Sequence, residues 1–147
     1  MTQARKLPVG KFSLTHRIAL AGIAVGGIAV LLVAYNLDSD PRGFGTHEQL
    51  GLTPCYFQQW SGRVCPACGA TTAWAYTVRG QIAQAAAVNF GGTLLCIATI
   101  ITVPWLAMSA SVGRWIVCRL SLRLLLVAAT ALLLIVLLDW LRRWYFS

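Results

Sequence analysis

The stretch RVCPACGATTAW, residues 63–74, sets Cys65 and Cys68 three positions apart around Pro66, with Gly69 directly behind them. Cys55 and His47 stand a short way upstream. Thiols at this spacing can hold a soft metal, exchange disulfides, or staple a loop. For metal, C-P-x-C-G is half of a zinc knuckle, in which the glycine lets backbone amides approach both sulfurs. A closed zinc site takes four ligands. Cys55, Cys65 and Cys68 supply three, and His47 would complete a Cys₃His set. The plain alternative for His47 is a solvated loop residue, and the chain holds no second C-x-x-C knuckle.

For redox chemistry, C-P-x-C at a helix start is similar to the dithiols of glutaredoxin-like oxidoreductases. A helix N-terminus stabilises a thiolate and lowers its pKa. Cys65 would attack, Cys68 would resolve, and Cys55 would be a third exchange partner. The βαβ context of thioredoxin-like folds is absent, and no quinone or flavin pocket can be read from the chain. For a structural role, Cys55 would pair with Cys65 or Cys68. Closing such a loop stabilises by roughly 3 kcal/mol on the loop-entropy model and leaves one loop cysteine free. All three readings stand open at the level of sequence.

The elements that must position these thiols follow from punctuation. Pro66 suits the first position of a helix, because its missing N–H costs nothing there. The pattern predicts a helix over Pro66–Arg79 with Cys65 at its N-cap and Gly80 as its C-terminal glycine. Cys65, Cys68, Thr72, Tyr76 and Arg79 would share one face. Gln81–Val88 reads as a second short helix, with Asn89-Phe90-Gly91-Gly92 breaking it. Both are too short to cross a bilayer and are expected at the interface, with Trp60 and Trp74 as head-group anchors. Thr71 and Thr72 are expected to bond back to helix carbonyls.

Composition says what surrounds them. Of 147 residues 58% are hydrophobic and only 11% charged, with a mean hydropathy of +0.70. A soluble domain would be about a quarter charged. Uncharged runs at 18–37 and 93–112, and an apolar run at 120–139 whose Arg123 snorkels outward, are each about 20 residues, the length that crosses a hydrocarbon core of about 30 Å. The fold class expected is therefore an all-α membrane protein. Residues 1–147 form one membrane domain of three transmembrane helices, with the cysteine loop and short interfacial helices at 38–92. The first run follows a basic leader, but it exceeds a signal-peptide core and ends without an A-x-A site, so it is expected to remain as a helix.

Orientation follows the Lys/Arg census. Arg5, Lys6, Lys11 and Arg17 with Arg114, Arg119 and Arg123 make seven on one side. Arg42, Arg63, Arg79, Arg142 and Arg143 make five on the other. The N-terminus is expected in the cytoplasm and the cysteine loop outside it. The net charge of +8 is thus a topology signal, since the basic residues flank spans and form no patch suited to nucleic acid. Cys96 and Cys118 are expected to pack as apolar residues, and Pro104 removes one backbone bond within its span. Gly22, Gly26 and Gly27 give small-xxx-small spacings that suit close packing within the chain or in a homo-oligomer. No Asp, Glu, Lys or His falls at mid-depth in a span, which argues against a proton relay or independent transport. No Walker, Rossmann, HExxH or Gly-x-Ser-x-Gly pattern appears.

Cys55-x-Phe57, Gly62, Cys65-Pro66-Ala67-Cys68-Gly69-Ala70-Thr71, Arg79-Gly80 and the Ala-rich stretch before Asn89 carry a resemblance. Together they resemble the bacterial membrane family called domain of unknown function 2752, over about residues 47–105. Where that family often has Asn-Pro, this chain has Asn89 followed by Phe90-Gly91-Gly92. The resemblance implies a small polytopic protein of a bacterial cytoplasmic membrane and supplies no activity. The function expected is a structural or metal-binding cysteine loop, with zinc as the candidate ion, in a protein that works beside lipid and a membrane-protein partner. The alternative is a membrane thiol–disulfide oxidoreductase using Cys65 and Cys68.

Overall fold

The computed structural model describes residues 11–116 and 121–146. Among them three helices are long and apolar enough to cross a membrane: α1 (Leu14–Asn36), α5 (Phe90–Val112) and α6 (Leu122–Phe146). Three short helices lie between the first two: α2 (Tyr56–Ser61), α3 (Ala70–Val78) and α4 (Ile82–Val88), with a 3-10 turn at Thr46–Leu50. No strand occurs among the described residues. The all-α, three-span architecture expected from hydropathy is the one found.

The central helix is α5. Of its spanning window 28% is buried, against 11% for α1 and 6% for α6. It packs on α1, α3, α4 and α6. Small residues set the approach: a Cβ on Gly27 would collide with Val103, and one on Gly91 would collide with Val136. Gly22 and Gly26 face open space. The ends show that neighbouring long helices run antiparallel. At one end the Phe12 N–H donates to the Gly113 carbonyl at 2.7 Å. There Arg17 also donates to the carbonyls of Ala110 and Ser111 at 2.8 and 2.9 Å, satisfying and charge-complementing the C-terminus of α5. At the other end Arg79 donates to the Tyr35 and Leu37 carbonyls, both at 2.7 Å, and Asp139 of α6 meets the first residue of α5. The end of α1, the 38–89 segment, the start of α5 and the end of α6 therefore gather at one end of the bundle.

Several sequence expectations need correction. The helix placed at Pro66–Arg79 begins only at Ala70, because Gly69 takes a left-handed conformation (φ 81°) and Pro66–Gly69 form a turn. Cys65 is therefore not at a helix N-cap. The glycines after Asn89 do not break the chain: Asn89 alone does, with φ −155° and ψ 99°, and its side chain caps α5. Gly91 and Gly92 lie in the first turn of α5, where the lack of a Cβ admits α6 and Ala70. The third long helix runs past the expected end at 139, through Arg142 and Arg143, to Phe146. Helix α3 packs against α1, α4 and α5 and buries Thr72, Ala73, Ala75 and Thr77. Pro104 sits within α5, which continues through it. Cys96 is fully buried as an apolar residue should be; Cys118 lies outside the described residues.

A candidate metal centre of three cysteines

Two short segments deliver the thiols. Cys55 is the N-cap of α2. Cys65 opens the turn, its carbonyl accepting from the Cys68 N–H at 3.1 Å, and the Ala67 carbonyl accepts from the Ala70 N–H at 3.0 Å. Cys68 closes the turn and is buried, while Cys55 and Cys65 are half-buried. Gly69 permits this geometry twice over. Its φ disfavours any side chain, and a Cβ there would lie 2.7 Å from the Gly43 carbonyl oxygen and 2.8 Å from Val88 Cγ1.

The result is one cluster. The Sγ atoms of Cys55, Cys65 and Cys68 all lie within 4.8 Å of one another. Tetrahedral zinc with bonds of about 2.3 Å sets its sulfurs about 3.8 Å apart, so only a small contraction separates this cluster from a coordination shell. An open cavity of about 280 Å³ adjoins it, lined by the three cysteines with Phe44, His47, Gln58 and Thr71 among others. His47 thus lies in the wall of the same cavity, but its ring nitrogens are not in the 4.8 Å group. The segment bearing His47 is clipped by Arg42, which pairs with Asp40 at 2.7 Å and Glu48 at 3.3 Å. Behind it Thr46 and Thr72 share a buried hydroxyl bond of 2.8 Å. That bond replaces the helix back-bonding expected of Thr72.

The thiols differ electrostatically. A hydrogen bond from the Gln58 backbone, with lesser ones from the Cys68 and Cys65 thiols and the Phe57 N–H, lowers the pKa of Cys55 against a smaller burial effect. Burial, followed by the neighbouring Cys65 and Cys55 thiols, pushes Cys68 up to about 12. A bound cation would reverse that order of effects, because a coordinated thiol loses its proton.

Sequence reasoning missed the residues behind the turn. Asn89 Nδ2 donates to the carbonyls of Cys68 and Pro66 at 3.0 and 3.3 Å. Arg143 donates to the same two carbonyls, from Nη1 to Cys68 at 3.0 Å and from Nη2 to Pro66 at 3.2 Å. Trp140 Nε1 donates to the Val64 carbonyl at 2.9 Å, and the Arg63 guanidinium stacks 4.6 Å from the Trp144 ring centroid. Asp139, its side chain 6% exposed, pairs with Arg142 at 2.9 Å and with Arg143 Nε at 3.0 Å. The Arg143 Nε–H is not aligned for a hydrogen bond, so that contact is an ion pair. A signal was available: Asp139 is the only acid after Glu48, and arginines stand three and four residues beyond it, the helical pairing distance.

Residues 55–103 match the sequence model of the family described as protein of unknown function (DUF2752). The match spans all three clustered cysteines and Asn89 and stops before Asp139 and Arg143. No curated protein and no solved structure matches the chain.

Proposed function

We propose that this chain is a small integral membrane protein whose Cys55, Cys65 and Cys68 bind a thiophilic metal ion, zinc foremost. The observation that carries the reading is the convergence of three thiols, one from the start of α2 and two from the Cys65–Cys68 turn, within 4.8 Å of one another. Thiolates suit Zn²⁺ and Cu(I) far better than hard cations. The adjoining cavity leaves room for a fourth ligand, supplied by His47 after a loop shift or by a ligand from solution. The site then holds the loop segments together at one end of the bundle, where a partner membrane protein or a second copy can meet it.

The cysteine end is placed outside the cytoplasm by the Lys/Arg census. The pairing pattern supports this. All five basic residues at that end are engaged within the chain, with carboxylates or carbonyls. The bilayer covers the exposed apolar faces of α1 and α6.

A thiol–disulfide exchanger using Cys65 and Cys68 is the second reading, favoured by the same closeness of the sulfurs. It loses one physical support, since no helix starts at Cys65 to activate it. Elemental analysis of the purified full chain together with a count of reactive thiols separates the two. One zinc per chain, lost in each of Cys55→Ser, Cys65→Ser and Cys68→Ser, supports the metal site. A metal-free chain whose Cys68→Ser variant traps a mixed disulfide through Cys65 supports exchange.

A further inference from the structure

The turn that carries Cys65 and Cys68 is held by Asn89 from within the matched 55–103 region and by Arg143 from outside it. The carbonyls of Pro66 and Cys68 each accept two hydrogen bonds, one from Asn89 and one from Arg143, which uses both lone pairs of each oxygen. In a planar trans peptide the N–H points opposite to the C=O. Fixing these two carbonyls toward α5 and α6 therefore turns the N–H groups of Ala67 and Gly69 the other way. Ala67, Gly69 and the three cysteines line the cavity, whereas neither Asn89 nor Arg143 does.

The charges are arranged to match. A divalent metal with three thiolates carries a net negative charge, whereas Asp139 with Arg142 and Arg143 carries a net positive one. Arg143 is nearly buried, 11% exposed, and Asp139 holds it in place. A largely enclosed guanidinium whose Nη1 and Nη2 each donate to a carbonyl of the cysteine turn is arranged to fix that turn.

We infer that Arg143, oriented by Asp139 and joined by Asn89, is the positioning residue of the thiol cluster. It fixes the two peptide planes so that their N–H groups face the sulfurs, and it compensates the charge of a bound metal–thiolate centre. The charge role rests on the metal reading given above, while the positioning role rests on the turn geometry alone. Outer partners of this kind change metal affinity by about 10- to 100-fold.

The test uses the full chain in lipid nanodiscs, first reduced and metal-free. N-ethylmaleimide modification of Cys68 is followed by mass spectrometry, with buried Cys96 in α5 as the internal control. Arg143→Gln is expected to speed Cys68 modification by about tenfold or more while Cys96 keeps its rate, on the scale of such outer-partner losses. Asn89→Asp is the second variant. It keeps the oxygen that accepts from the Gly92 N–H at 2.7 Å and replaces the donor to the turn with a carboxylate oxygen that repels the two carbonyls, so it should act in the same direction. Loading with Co²⁺ then reads the centre itself. Arg143→Gln should shift the sulfur-to-cobalt charge-transfer band and release the metal to a chelator about tenfold faster, with Arg143→Lys between it and the wild type.

Unchanged Cys68 modification in both variants, or equal acceleration at Cys68 and Cys96, overturns the positioning role. A cobalt band and release rate unmoved by Arg143→Gln overturns the charge role. A wild type that takes up no cobalt removes the metal reading, and with it the charge role; the Cys68-to-Cys96 ratio then decides the positioning role by itself.

Discussion

Arg143 and Cys68 are 75 residues apart in sequence and joined by a 3.0 Å hydrogen bond from the guanidinium to the Cys68 carbonyl. The end of the third long helix is thereby tied to the turn that carries two of the three clustered thiols. The same arginine meets Asp139, whose carboxylate accepts from the N–H of Phe90 at 3.3 Å at the start of α5. One ion pair thus joins the last two spans to the cysteine loop.

Removing Asp139 alone should be costly. Asp139→Ala leaves the largely enclosed Arg143 charge without its carboxylate partner, a loss expected to fall below the roughly 3–5 kcal/mol of a fully buried pair. Replacing the pair together, Asp139→Leu with Arg143→Met, should cost less than Asp139→Ala, because no uncompensated charge remains. Reversible unfolding of the detergent-solubilised chain measures both, and a double variant less stable than the single one would contradict the burial argument.

The thiols should ionise in a fixed order. With Cys55 held below its ordinary value and Cys68 pushed up to about 12, iodoacetamide at rising pH should modify Cys55 well before Cys68 in the reduced, metal-free chain. The sign for stability follows from the raised folded-state pKa. Cys68 favours the fold fully below its unfolded value near 9.0, and that contribution is lost as pH rises toward about 12. Metal loading should invert the trend at the acid side, where protons compete for the sulfurs. Equal modification rates for the two cysteines at every pH would contradict the assignment.

Much of the frame was legible from sequence, because three apolar runs of spanning length leave few alternatives. The cluster was legible in its members: Cys55, Cys65 and Cys68 were singled out by type and spacing. Its supports were not. Pro66 suggested a helix start by its fixed φ, but Gly69, packed against the Gly43 carbonyl and Val88, holds the turn open for four residues before α3 begins. Asn89 looked like part of a glycine break because the packing partners that require Gly91 and Gly92, Val136 and Ala70, are distant in sequence. Arg142 and Arg143 looked like lipid-facing flank charges for the same reason. Asp139 stands at helical pairing distance from both, but the turn carbonyls that Arg143 meets lie more than seventy residues away, where no periodicity announces them.

Topology has a direct check. An impermeant maleimide added to intact cells after mild reduction should label Cys55 or Cys65, the two half-buried thiols of the cluster, and leave buried Cys68 slow. Labelling of these residues only after lysis would place the loop in the cytoplasm and reverse the orientation.

The central claim is that three thiolates, one capping α2 and two from the following turn, share one ion. X-ray absorption at the zinc edge of the zinc-loaded full chain reads this directly. The expected result is a shell of three sulfurs at about 2.3 Å with one lighter N or O neighbour, falling to two sulfurs in Cys55→Ser. A zinc shell of nitrogen and oxygen alone, or one unchanged by Cys55→Ser, would contradict it.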